Sequence, residues 1–110
     1  MREGGAWFVI ALLEERQQSL VELCRRYHVA RLDVFGSAAS GAFESATSDV
    51  DFLVTFEPMP PADHADAYFG LLDALESLFD REIDLIEEDA VENPYFRRAV
   101  AASRVSLYAA

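Results

Sequence analysis

Lysine is absent from this chain: all nine basic residues are arginine, set against twenty aspartates and glutamates, for a formal net charge of −11. Such a surface repels phosphate backbones and anionic lipid, which argues against direct nucleic-acid or membrane binding. It leaves two kinds of partner, a mononucleotide neutralised by divalent metal and a basic protein. Cysteine is almost absent too. Cys24 alone builds neither a disulfide framework nor a thiolate metal cluster. Its place among Leu20, Val21 and Tyr27 at helical spacing predicts a buried apolar thiol. Long hydrophobic runs are missing: the stretch from Ala6 to Leu13 is too short to cross a bilayer. That stretch leads into Glu14-Glu15-Arg16 with no small-residue cleavage site, so the expectation is no signal peptide and a cytoplasmic location. Repeats, low-complexity tracts and linkers are also lacking. The expectation is one small domain spanning residues 1–110, with enough burial for a real core.

What is present is apolar and periodic. Hydrophobic residues make up 52% and aromatics 12% of the chain, which excludes disorder as the default. Leu13, Leu20, Val21, Cys24 and Tyr27 predict a helix from about Trp7 to Tyr27. Val29 to Phe35 reads as a strand ending at Gly36. Ser37 to Phe43 fits one or two helical turns with Ser37 as N-cap. Asp49 to Phe56 reads as a second strand, apolar after its aspartates. Pro58, Pro60 and Pro61 predict a stiff loop before a helix from about Asp63 to Phe79, whose stripe is Tyr68, Leu71, Leu72, Leu75, Leu78 and Phe79. A short third strand, Glu82 to Ile86, precedes the acidic turn Glu87-Glu88-Asp89. Asn93-Pro94 has the form of a cap followed by proline at the first helical position, leading to about Ser103. Val105 to Tyr108 closes the chain as a strand. The pattern predicts an α/β (α+β) domain, helices against a small mixed sheet.

The most informative feature is the pairing of Gly36-Ser37 with Asp49-Val50-Asp51. Carboxylates at i and i+2 of a strand point to one face. A glycine–serine turn offers backbone N–H groups, a hydroxyl and a helix N-terminus to an anion, while two aspartates offer hard oxygens to a cation. Together they describe a site for a nucleoside triphosphate with Mg²⁺. Asp51 sits within a mostly apolar strand, where an unpaired charge is costly. Asp84, flanked by Ile83, Leu85 and Ile86, is in the same position, and acidic groups gathered around Mg²⁺ satisfy one another. Asp49, Asp51 and Asp84 are therefore the candidate metal ligands and catalytic carboxylates, for two Mg²⁺ ions with a nucleoside triphosphate as substrate. Gly36, Ser37 and Ser48 are the candidate nucleotide-binding residues. The plain alternatives are a turn with an N-cap for Gly36-Ser37, a strand-start cap beside Ser48 for Asp49, a surface residue for Asp51 and an edge-strand residue facing water for Asp84. His28 and His64 stand in no metal-ligand spacing, and Tyr108 is expected to pack.

Phe35-Gly36-Ser37, Ala39, Gly41, Ser48-Asp49-Val50-Asp51-Phe52-Leu53-Val54 and Ile83-Asp84-Leu85-Ile86 resemble the nucleotidyltransferase superfamily with the polymerase-β-like fold. With Asn93-Pro94-Tyr95 and Val105-Ser106-Leu107-Tyr108, the chain is most similar to minimal nucleotidyltransferases, the MNT-type antitoxins paired with HEPN-domain toxins. The resemblance implies transfer of AMP from Mg-ATP to a tyrosine hydroxyl of a cognate HEPN ribonuclease toxin, in a hetero-oligomer with it. Two departures stand out. Eleven residues separate Ser37 from Asp49, one more than is usual, and Ser40 occupies a position often held by arginine. The second departure leaves room for an antitoxin of the same fold that acts by binding alone. Nucleotidyl transfer to a small molecule is a third reading, disfavoured by the shortness of the chain. The acidic residues Glu87, Glu88, Asp89 and Glu92 read as a solvated loop or as a match for a basic toxin surface.

Overall fold

A computed structural model describes residues 13–36 and 50–110. Within them α1 (Gln17–Arg26) leads to β1 (Val29–Phe35), and β2 (Val50–Phe56) leads to α2 (Pro61–Phe79). β3 (Ile83–Glu87), a single 3₁₀ turn (Glu88–Ala90), α3 (Pro94–Ser103) and β4 (Val105–Ala109) complete the order. The strands form one sheet in the order β3-β2-β1-β4. β1 runs antiparallel to both β2 and β4, whereas β2 and β3 are parallel, so the predicted mixed sheet is present.

The two sheet faces differ because side chains alternate along each strand. Leu32, Val34, Val50, Phe52, Val54 and Leu85 point to one face. There they form the main core with Leu20 and Cys24 of α1 and with Ala67, Leu71, Leu75 and Phe79 of α2. These helix positions recur every three or four residues, the spacing that builds a single apolar stripe. Leu20, Leu32, Leu71, Leu75 and Phe52 are wholly buried, each stabilising the fold by roughly 1.5–3 kcal/mol. Cys24 belongs to this core as expected, and burial pushes its thiol up to about 12. Tyr108 also packs against it. The opposite face is covered by α3, where Phe35 and Leu53 meet Val100 and Phe96.

The ends of the elements follow local chemistry. Asn93 accepts hydrogen bonds from the N–H groups of Tyr95 (2.9 Å) and Phe96 (3.3 Å), the predicted cap with proline at the first helical position. α2 starts two residues earlier than expected: Pro61 is its first residue rather than part of the preceding loop, since proline's fixed φ suits that position. Leu13 to Glu15 are helical but Arg16 breaks into a turn, so the expected helix is interrupted before α1. Gly70 lets the α1 end reach α2; a Cβ there would meet Tyr27 Cε1 at 2.5 Å. The expected helix over 37–43 lies outside the described residues.

Candidate functional site

Phe35, Asp51 and Asp84 are cross-strand neighbours at one end of the sheet. Asp51 opposes Phe35 on antiparallel β1 and Asp84 on parallel β3. Residues in register share a face, so both carboxylates stand on the α3 side of the sheet, on strands about 4.8 Å apart. Asp51 is half-buried and Asp84 exposed. The sequence placed each aspartate on a strand; the parallel β2–β3 pairing brings them together.

Gly36 follows β1 at the same end, with φ +71°, in the left-handed region. A Cβ on Gly36 would lie 2.7 Å from Asp51 Oδ2. Glycine was expected to admit phosphate oxygens. Here it also clears the space that the Asp51 carboxylate already occupies. The Gly36 N–H donates to Ser103 Oγ at 3.1 Å, and Ser103 Oγ donates to Ala99 O at 3.3 Å. The last residue of α3 thereby fixes the turn, a link from across the sequence that no local pattern announces.

Asp49, Ser37 and Ser48 lie outside the described residues. Among the described residues no group of three His, Cys, Asp or Glu gathers as metal ligands. The Asp51–Asp84 pair is two of the three predicted carboxylates, and its hard oxygens on adjacent strands suit Mg²⁺, which takes oxygen ligands at about 2.0–2.1 Å. The residues present therefore fit a Mg²⁺–nucleotide group.

A third aspartate on the same face does something else. Asp33, wholly buried in β1, receives Arg104 Nε at 2.6 Å and Arg31 Nε at 3.3 Å. Arg104 also forks onto Glu88, Nη1 to Oε2 at 3.1 Å and Nη2 to Oε1 at 2.9 Å. The hydrogen bond from Arg104 holds the Glu88 carboxyl below its ordinary range, and Glu88 in turn raises the Arg104 guanidinium. Glu87 pairs with His64. Glu88 is thus engaged in an internal ion pair and Glu87 in a contact with His64, while Asp89 and Glu92 are exposed, as the solvated loop read from sequence expects. Asp33 escaped notice among Leu32, Val34 and Phe35. Its signal was the one that marked Asp51 and Asp84, a charge inside an apolar strand.

The model of the family described as "Nucleotidyltransferase domain" matches residues 17–107. The chain belongs to this nucleotidyltransferase family. Two putative protein adenylyltransferases of Methanocaldococcus jannaschii (strain ATCC 43067) are similar to it. One is 33% identical over 78 residues, 71% of this chain and 76% of the relative. The other is 30% identical over 80 residues, 72% and 76% respectively. The solved structure of a putative minimal nucleotidyltransferase superposes with a TM-score of 0.65 at 34% identity, covering 84% of this chain and 90% of that one. A Shewanella oneidensis complex of a tri-AMPylated HEPN toxin with its MNT antitoxin superposes at TM-score 0.60 and 17% identity, covering 88% and 72%. At that identity the likeness is one of fold. The α/β nucleotidyltransferase fold read from the sequence is the one this chain has.

Proposed function

We propose that this nucleotidyltransferase is an antitoxin that transfers AMP from Mg-ATP to a tyrosine hydroxyl of a HEPN-domain ribonuclease toxin and so silences it. The observation that carries the reading is the Asp51–Asp84 pair, in register on one sheet face beside a glycine where a Cβ would lie 2.7 Å from Asp51 Oδ2. Relatives named as protein adenylyltransferases support a protein acceptor. A neighbour of the same fold described with AMP-PNP supports an adenine nucleotide.

The acceptor oxygen attacks the α-phosphorus, the bond from that phosphorus to the bridging oxygen breaks, and pyrophosphate leaves with the electron pair. Asp49, Asp51 and Asp84 would hold two Mg²⁺ ions, which neutralise the triphosphate and ease deprotonation of the acceptor. Asp84, being exposed, is open to solvent and to an incoming hydroxyl, and it takes the acceptor proton. Ser37 and Ser48 would hold phosphate oxygens through hydroxyls and backbone N–H groups, and Gly36, whose own N–H is engaged by Ser103, leaves the turn without a side chain beside them. Ser103 keeps the Gly36 turn in place.

A binding-only antitoxin is the second reading, favoured by Ser40 and the absence of lysine. Intact-mass spectrometry of the HEPN-domain protein, incubated with this chain, ATP and Mg²⁺, separates the two. Added AMP with wild type and none with the Asp49→Ala/Asp51→Ala variant is the expected result. A stable complex, loss of ribonuclease activity and no mass change would establish occlusion instead.

A further inference from the structure

Gly36 has no side chain to pack, and its φ of +71° is one of several conformations open to glycine. A contact from outside the turn has to select it. That contact is the Ser103 hydroxyl, which accepts the Gly36 N–H at 3.1 Å from 67 residues further along the chain. A serine near a helix end commonly turns its hydroxyl back onto the carbonyl four residues earlier, and Ser103 does so toward Ala99 O at 3.3 Å. On its own that bond would be local helix chemistry. It also commits the one hydroxyl proton, so Ser103 presents lone pairs to Gly36.

Ser103 is itself held on both sides. Before it, Phe96 and Val100 pack on Phe35 and Leu53, the Phe96 ring edge-on to Phe35 with centroids 5.8 Å apart. After it, the Arg104 N–H donates to Val100 O at 2.8 Å, the Arg104 guanidinium sits on Asp33, and Val105 pairs with Val34. Asp33, Val34 and Phe35 lead β1 into Gly36, so the hydroxyl is anchored to the strand whose end it ties. The Gly36 backbone in turn forms a wall against Asp51, since a Cβ there would lie 2.7 Å from Oδ2. A shift of the turn would change what the Asp51 carboxylate meets, and the affinity of a metal for its ligands depends on the groups that orient them.

We propose that Ser103 is a positioning residue for Asp51. Acting through Gly36, it sets the carboxylate orientation that receives the Mg²⁺–nucleotide group. This rests on the reading of Asp51 as a ligand of that group, and it adds a residue of α3 that touches neither metal nor substrate.

The test is calorimetric titration of AMP-PNP with Mg²⁺ into wild type, Ser103→Ala, Ser103→Thr and Asn93→Ala, with amide exchange at Gly36 followed by NMR. Ser103→Ala is expected to open the Gly36 N–H to exchange and to weaken Mg²⁺-dependent binding about tenfold. Ser103→Thr keeps the hydroxyl and is expected to restore both. Asn93→Ala loosens the other end of α3 without removing the Gly36 contact, and is expected to match wild type in both. Wild-type affinity in Ser103→Ala, with Asp51→Asn still impaired, overturns the positioning role and leaves the reading of Asp51 standing. Equal weakening in Asn93→Ala also overturns it, because any loosening of α3 would then suffice. Absence of Mg²⁺-dependent binding by wild type removes the reading of Asp51 and the role of Ser103 with it.

Discussion

Two sets of acidic residues share the α3 face of the sheet and live under opposite rules. Asp33 is wholly buried and sits on two arginines, one of which is shared with Glu88. Asp51 and Asp84 sit beside each other at the end of the sheet, half-buried and exposed, with the Gly36 backbone close against Asp51. A buried carboxylate with its countercharge supplied by the chain is architecture. Two adjacent carboxylates on neighbouring strands are what the proposed function assigns to a cation that arrives from outside.

That contrast can be broken at either end. The largest effect falls on activity: Asp51→Ala or Asp84→Ala is expected to lower AMP transfer on the order of 10³-fold while the melting temperature holds, measured by intact-mass time courses. Transfer at the wild-type rate would mean the pair is not the site. Arg104→Ala should do the reverse, sparing the acid pair but stranding buried Asp33 at a cost of about 3–5 kcal/mol in urea unfolding. A loss under about 1 kcal/mol would show that Arg31 alone satisfies Asp33. Gly36→Ala combines strain at φ +71° with a Cβ against Asp51 Oδ2, for an expected stability loss of about 1–2 kcal/mol and weakened Mg-ATP binding by calorimetry. Asn93→Ala removes only the α3 cap, costing about 1 kcal/mol by the same unfolding assay. The smallest effect is a pH dependence. Glu88, with its folded pKa depressed below 4.5, contributes stability that is present above that value and lost as pH falls through the folded one. Wild type should therefore lose stability more steeply on acidification below 4.5 than Glu88→Gln, and identical profiles would remove Glu88 from the clamp's role.

Much of this was legible in the sequence because it is local. β1 was read at its observed bounds and β4 to within a residue, since alternating apolar residues and flanking turns mark strands directly. Asn93-Pro94 announced its cap. The aspartates declared themselves as charges in apolar strands. What stayed hidden was everything set by pairing between distant segments. The register that puts Asp51 beside Asp84 depends on β3 docking parallel to β2, and nothing in either strand specifies that neighbour. Arg104 reaching Asp33, and Ser103 reaching Gly36, likewise join residues that meet only when α3 closes over the sheet. Apolar patterning also misled at Pro61, read as loop because proline usually interrupts, though at a helix start it fits.

The most direct test of the central claim is calorimetric titration of AMP-PNP, with and without Mg²⁺, into wild type, Asp51→Asn and Asp33→Asn. The account predicts Mg²⁺-dependent binding by wild type and by whatever fraction of Asp33→Asn remains folded, with Asp51→Asn folded yet weakened at least a hundredfold. Undiminished Mg²⁺-dependent binding by folded Asp51→Asn would contradict it.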